Sequence, residues 1–95
     1  MTIEETANAT KVLATHGAIR EAIYATLTES RSLLPEGIRV VLDALPGTSG
    51  VPEPSVILTL LGDVNADLLN ALRFRLANRI ATTEAWVFVE RRPYA

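Results

Sequence analysis

Apolar residues recur every three or four positions over the first third of the chain, which is the spacing of one face of an α-helix. Residues 2–5 precede this pattern and have the form of a capping box, with Thr2 as N-cap and Glu5 reaching back to it. Pro35 ends the pattern, because a proline disfavours helical backbone at the residue before it. The helical stripe consists of Val12, His16, Ile19, Ile23, Leu27 and Ser30.

This predicted helix is too long for the domain that contains it. A helix over residues 3–33 would extend for roughly 45 Å, whereas a globule of this size is about 30 Å across. We therefore expect either a break near His16 and Gly17 or a projecting end. In both cases we interpret residues 1–15, which hold few large apolar side chains, as an N-terminal arm or helix extension.

Three strands and a second helix are predicted in the rest of the chain. In residues 38–45 one alternate set is entirely apolar and the other includes Arg39 and Asp43, as in a strand with one buried face, whereas residues 55–61 and 84–90 are apolar on both faces. A loop rich in proline and glycine, residues 46–54, joins the first two strands into a hairpin. The second helix begins at Asp63 or Asn65 and ends at Thr82 and Thr83. Its inward stripe is Leu68, Leu69, Leu72, Leu76 and Ile80.

The element order is therefore α-β-β-α-β, and the predicted fold class is α+β, with two helices packed on one face of a three-stranded sheet. Residues 16–95 form a single α+β domain in this interpretation. The third strand lies beside either the first or the second strand, and only the second position gives a parallel pair.

The strands hold more apolar residues than one sheet face can bury. The third strand carries Trp86 and Phe88 on one face and Val87 and Val89 on the other, so large apolar groups remain on whichever face is turned away from the helices. A surface of this kind is typical of an interaction site. The alternative is that residues 1–15 or the loop 46–54 cover it.

The second helix presents a further apolar residue on its outward side. Phe74 lies about 170° from the leucine stripe at about 100° per residue, between Arg73 and Arg75. This is the composition of an interface anchor. The alternative is a solitary exposed aromatic side chain, which is common on protein surfaces.

Charge is divided unevenly along the chain, although the total is only −2. Residues 1–67 carry nine acidic and four basic residues, whereas residues 68–95 carry two acidic residues and five arginines. These charges either pair within the fold or meet between neighbouring copies, since arginine favours interfaces. The arginines are also a candidate RNA-binding patch with Phe74 or Tyr94 for stacking, although the isoelectric point of 5.3 is acidic. They are Arg73, Arg75, Arg79, Arg91 and Arg92.

Composition leaves little room for catalysis. Cysteine is absent and His16 is the only histidine, which excludes a thiolate nucleophile, a cysteine-ligated metal and a multi-histidine metal site within one chain. His16 lies on the apolar stripe, where we expect a buried, hydrogen-bonded side chain. Residues 47–50 lack the lysine and the following helix of a phosphate loop, and no spacing gathers Asp43, Glu53 and Asp63 around a cation. We expect no enzymatic activity, no cofactor and no metal.

The hydropathy pattern also bears on location. No apolar run approaches the ~20 residues of a membrane span, and no basic-then-apolar leader opens the chain. We therefore expect no membrane association and a cytoplasmic or virion-associated location.

The first half of the chain resembles small phage tail-terminator or neck-type proteins, which join head and tail. The matching features are the amphipathic helix at residues 18–27, the strand start at residues 38–40, and prolines at 46, 52 and 54 leading into the next strand. The resemblance implies a subunit that closes into rings and has no catalytic residues. This chain is short, and it passes from the second strand directly into a helix without the family's extra strand.

The second half resembles the KH-like ribosome maturation factors. The matching features are residues 60–63, followed by a helix and a final strand at residues 86–89. The resemblance implies RNA binding. That family is basic and kinks its helix at a small-residue motif, whereas this chain is acidic and shows no such motif.

These observations favour a structural role over a catalytic one. Our leading hypothesis is a non-enzymatic assembly protein that forms a homo-oligomer, as in a phage connector ring, or joins other structural proteins. It would assemble through the arm, the outer sheet face and the arginine-flanked Phe74, and the alternative is a KH-like RNA-binding module. The predicted interface residues are Phe74, Arg73, Arg75, Arg79, Trp86, Phe88, Arg91 and Arg92.

Overall fold

The computed structural model describes residues 1–45, 55–80 and 86–93. Within these residues, three helices and a four-stranded mixed sheet form an α+β fold. The predicted fold class is therefore confirmed, whereas the expected two helices and three strands are wrong in number. In chain order the elements are β1 (Thr2–Glu5), α1 (Ala7–Ala14), α2 (Gly17–Glu29), β2 (Arg39–Leu45), β3 (Ser55–Leu61), α3 (Ala66–Ile80) and β4 (Trp86–Arg92).

The strands lie in the sheet in the same order as in the chain, β1-β2-β3-β4. The predicted hairpin is present, because β2 and β3 are antiparallel, with Arg39 opposite Leu61 and Leu45 opposite Ser55. β4 runs parallel to β3. Of the two positions that the sequence allowed for the last strand, this is the one that gives a parallel pair. The additional strand, β1, runs parallel to β2 at the other edge.

The sheet has an inner face that packs against all three helices. Alternate residues of β2 and β3 are buried on this face, and the three buried leucines of α3 pack over them as the leucine stripe predicts. The core also receives Ile23 and Leu27 from α2. The buried strand residues are Val40, Leu42, Ala44, Val56, Leu58, Leu60 and Val89.

Residues 1–15 do not project as an arm. Residues 2–5, expected as a capping box, are a strand instead, because their backbone pairs with β2. The N-cap of α1 is Thr6, whose hydroxyl accepts a hydrogen bond from the Ala9 amide. Ala9 and Leu13 are 0% and 1% exposed, so this segment belongs to the core and the expectation that it contributes little is wrong.

The long helical pattern breaks at Thr15 and His16, which is one of the two outcomes expected from its length. Gly17 is the first residue of α2. The His16 ring is half-buried, and its Nδ1 lies 2.9 Å from the Val12 carbonyl oxygen. The histidine is therefore hydrogen-bonded at the junction between the two helices.

The two crossover connections of this topology have opposite hands. β1 joins β2 through α1 and α2, and β3 joins β4 through α3, with all three helices on the same face. Both connections lead to the next strand in the same direction across the sheet. The strands β1 and β2, however, run in the opposite direction to β3 and β4. One of the two crossovers is therefore left-handed, against a rule that about 98% of such connections follow.

Some sequence predictions fall outside the described residues. These are the loop 46–54, the helix end at Thr82 and Thr83, the first two residues of the predicted strand 84–90, and Tyr94. β4 ends at Arg92, before Pro93, which agrees with the inability of proline to continue a ladder.

Candidate interaction surfaces

The outer face of the sheet carries a diagonal run of apolar side chains, here called the outer stripe: Val41, Ile57, Leu61 and Phe88. The register places Ile57 directly opposite Phe88, and Val41 diagonally between Ile57 and Leu61. Val41, Ile57 and Leu61 are half-buried, and Phe88 is 54% exposed. No helix of the described chain packs on this face.

Polar side chains are interleaved with the outer stripe, since Thr59 lies on β3 between Ile57 and Leu61 and directly opposite Val41. Arg39 donates to Glu4 at 2.6 Å, across the β1–β2 pair. The Thr59 hydroxyl donates to Glu90 at 2.8 Å, across the β3–β4 pair, and Arg92 lies 3.3 Å from the same carboxylate oxygen. The outer face is therefore mixed, with apolar side chains next to polar groups that are paired within the chain.

Two further exposed apolar side chains, Leu33 after α2 and Phe74 on α3, are here together called the helical patch. They are 55% and 69% exposed, and Phe74 points away from the buried leucines of α3 as its helical position predicts. Arg75 contacts Ser30 and Arg79 contacts Thr26, so α2 and α3 are antiparallel. The patch therefore lies near the C-terminal end of α2.

Two of the predicted interface arginines hold the helices of one chain together. Ser30 and Thr26 are 1% and 3% exposed between α2 and α3. Arg75 donates to the Ser30 hydroxyl at 3.1 Å, and Arg79 donates to the Thr26 hydroxyl at 2.9 Å and pairs with Glu29. Hydrogen bonding to Arg79 lowers the pKa of the Glu29 carboxyl. These contacts satisfy buried hydroxyls within the chain.

Arg73, Arg91 and Arg92 also have partners within the chain. Arg73 Nε and Nη2 both donate to the Val89 carbonyl oxygen, at 3.0 and 2.8 Å. Arg91 donates to the Val64 carbonyl at 2.6 Å, while Arg92, whose side chain is 66% exposed, pairs with Glu90.

The structure does not gather the eight predicted interface residues into one surface. Phe74 lies on the helix side, with Arg73, Arg75 and Arg79 on the same helix. Phe88 and Arg92 belong to the outer register of β4, and Arg91 belongs to the inner register. Trp86 shares the outer register with Phe88, and its side chain lies outside the described part of the chain. The prediction thus corresponds to two separate surfaces.

A polar cluster around Glu5 was missed from the sequence. The Glu5 side chain is 14% exposed and accepts hydrogen bonds from Arg20 at 2.7 Å and from the Tyr24 hydroxyl at 2.6 Å. Bonds from Arg20 and Tyr24 lower the pKa of Glu5, and burial and the bond to Glu5 raise the pKa of Tyr24. Arg20 and Tyr24 are four residues apart and therefore lie on the same face of α2. This spacing is the sequence signal that could have indicated the cluster.

A smaller contact fixes the start of α1 to the sheet. The Thr6 hydroxyl donates to Asp43 at 2.7 Å, and the Ala44 amide donates to the same carboxylate oxygen. These two bonds lower the pKa of Asp43. Asp43 is thus committed to a structural contact.

Two further features concern clusters of acidic side chains and clefts among the described residues. No group of three or more histidine or acidic side chains among them is close enough to hold a metal ion. An open cleft lined by Pro35, Ile38, Gly62 and Pro93 also carries Glu36 and Asp63. Within the described ranges, none of the helices has the length and apolar character needed to cross a membrane.

The chain was compared with protein families, curated proteins and solved structures. No protein-family model, curated protein or solved structure matches it.

Proposed function

We propose that this chain is a non-enzymatic assembly protein that forms a homo-oligomer. The observation that carries the proposal is the exposure of large apolar side chains on two opposite sides of the molecule. Phe88 is 54% exposed on the sheet side, and Phe74 is 69% exposed on the helix side. Large exposed apolar side chains on two sides of one chain are a feature of proteins that associate through those sides.

The position of the two surfaces favours head-to-tail association. A two-fold dimer buries the same surface on both subunits and would leave the other surface exposed. Packing the outer stripe of one copy on the helical patch of the next buries both. Such a contact repeats from copy to copy and either closes into a ring or continues as a filament.

A ring of the phage connector type is the more specific form of the proposal. Its support is the sequence resemblance at residues 18–27 and 38–40. Other structural proteins are further partners under this proposal, and residues 1–15 would contribute through the sheet and the core rather than as a separate arm.

The arrangement of the arginines favours assembly over RNA binding. A nucleic-acid surface presents cations to phosphates and aromatic faces to bases. Arg73, Arg75, Arg79 and Arg91 instead donate to acceptors of their own chain. RNA binding of the KH-like kind is therefore the alternative outcome of the test.

The test places a charge in each surface and compares it with a matched control. Phe74→Glu and Ile57→Lys should each reduce the molar mass measured by light scattering to that of the monomer, because an unpaired charge in an apolar interface is strongly unfavourable. The controls are Asn78→Glu, one turn along the exposed side of α3, and Ser55→Lys, on the outer register of β3. Both controls should keep the wild-type mass.

Circular dichroism would establish that each variant is folded. Folded Phe74→Glu and Ile57→Lys variants that retain the wild-type mass would contradict the proposal. A monomeric wild type that binds RNA with a steep salt dependence would favour the alternative.

A further inference from the structure

β4 is an edge strand with a free side. Among the described strands, only β3 lies beside it. The Gly62 amide, which follows β3, donates to the Arg92 carbonyl at 3.1 Å, so that carbonyl points toward β3. Because backbone groups of alternate residues point to opposite sides of a strand, those of Val87, Val89 and Arg91 point to the free side.

Arg73 occupies the centre of this free side. Val89 is the middle residue of β4, and its carbonyl oxygen accepts both Nε at 3.0 Å and Nη2 at 2.8 Å from Arg73. Bonds from a guanidinium are stronger than those between neutral groups. A strand from another chain cannot pair with Val89 while the guanidinium holds this carbonyl.

The two edges of the sheet differ in their need for protection. β1 has four residues, two of them glutamates, and short charged edge strands add partners poorly. β4 has seven residues, of which the first four, 86–89, are apolar and the last three are charged. The greater length of β4 and its apolar first half make it the edge at which a further strand can add more easily.

We propose that Arg73 closes the edge of β4 against a second copy of this chain, and that its removal lets two copies join β4 to β4. An antiparallel pair centred on Val89 places Val87 opposite Arg91 of the other copy and Phe88 opposite its Glu90. No like charges face each other in this register. The joined sheet has eight strands and brings the two outer stripes onto one continuous face.

The test compares Arg73→Ala with Arg75→Ala, which removes a guanidinium from the same helix but frees only the Ser30 hydroxyl. Arg73→Ala should raise the molar mass measured by light scattering to at least twice that of the wild type at equal concentration. It should also gain the infrared signal of intermolecular β-sheet. Arg73→Met, which keeps the side-chain stem without donors, should behave in the same way, and Arg75→Ala should keep the wild-type mass.

Adding Val87→Pro to Arg73→Ala should restore the wild-type mass. A proline at this position removes an amide of the free edge and leaves the β3–β4 ladder intact. Because each variant is compared with the wild type's own mass, the result does not depend on the oligomeric state proposed above.

Three results would overturn the proposal. In the first, the folded Arg73 variants keep the wild-type mass, even with a lower melting temperature. In the second, Arg75→Ala shows the same increase. In the third, neither Arg73 variant folds, and Arg73 is then required for folding rather than for closing the edge.

Discussion

At the scale of single residues, Glu5 is the most extensively bonded carboxylate described. It lies on β1 and bonds to Arg20 and Tyr24 of α2, so it ties the sheet edge to the helical layer. Its bonds from Arg20 and Tyr24 lower its pKa. The free energy of unfolding therefore includes a contribution from Glu5 that is present above the unfolded-state pKa and is lost as the pH falls through the folded-state pKa.

The first prediction concerns the variant Glu5→Gln. It should lower the free energy of unfolding by about 1–2 kcal/mol at neutral pH, because a bonded charge is lost. The difference from the wild type should shrink as the pH falls below the ordinary glutamate value of 4.5. Urea unfolding at several pH values measures both effects.

The control for this prediction is Glu21→Gln, which removes the same charge from an exposed position on α2. It should leave the free energy of unfolding within about 0.5 kcal/mol of the wild type. A difference between Glu5→Gln and the wild type that stays constant through acid pH would show that the Glu5 charge is not responsible.

At the scale of elements, the glycines test the helix break and the turn before β2. Gly17 opens α2, and a Cβ added there meets no atom within 4 Å. Gly17→Ala should raise the free energy of unfolding by about 0.5 kcal/mol, mainly through the entropy of the unfolded chain.

Gly37 has a φ of +76°, which is left-handed backbone that an alanine adopts only with strain. Gly37→Ala should therefore lower the free energy of unfolding by about 1–2 kcal/mol.

Urea unfolding of the two glycine variants measures these effects. A Gly17→Ala variant less stable than the wild type would contradict the described start of α2. A Gly37→Ala variant of unchanged stability would contradict the positive φ.

The role of the N-terminal segment is tested by Leu13. Leu13 is 1% exposed within the core, so Leu13→Ala should lower the free energy of unfolding by about 2–5 kcal/mol. Lys11→Ala, in the same helix but exposed, should have little effect. If Leu13→Ala changes only the state of assembly and not stability, residues 1–15 are an arm after all.

The elements differ in how far the sequence determines them. Strand β3 was predicted at its observed bounds and β2 within one residue, because their apolar patterns are strong. The N-cap hydrogen bond from the Leu68 amide to Asn65 confirms one of the two predicted starts of α3. β1 was missed because its four residues form a strand only through pairing with β2, about 37 residues away.

The candidate surfaces were predictable to a lesser degree. The outward position of Phe74 follows from helical periodicity alone. The partners of Arg73, Arg75 and Arg79 depend on which helix and strand lie beside α3, and no local pattern contains that information. The single interface expected from the sequence therefore divides into the outer stripe and the helical patch.

At the scale of the whole molecule, the dimensions and the topology set the two surfaces apart. The chain measures 39 × 28 × 19 Å, which is one layer of helices on one sheet. The outer stripe and the helical patch belong to different layers and cannot cover each other within one copy. The left-handed crossover is a further whole-molecule property that no sequence pattern signals.

The molar mass of the wild type in solution tests the proposed assembly most directly. Light scattering after size-exclusion chromatography at micromolar concentration should give a multiple of 10.3 kDa, maintained at high salt because the contacts are apolar. A mass of 10.3 kDa at both low and high salt would contradict the proposal that this chain assembles with itself.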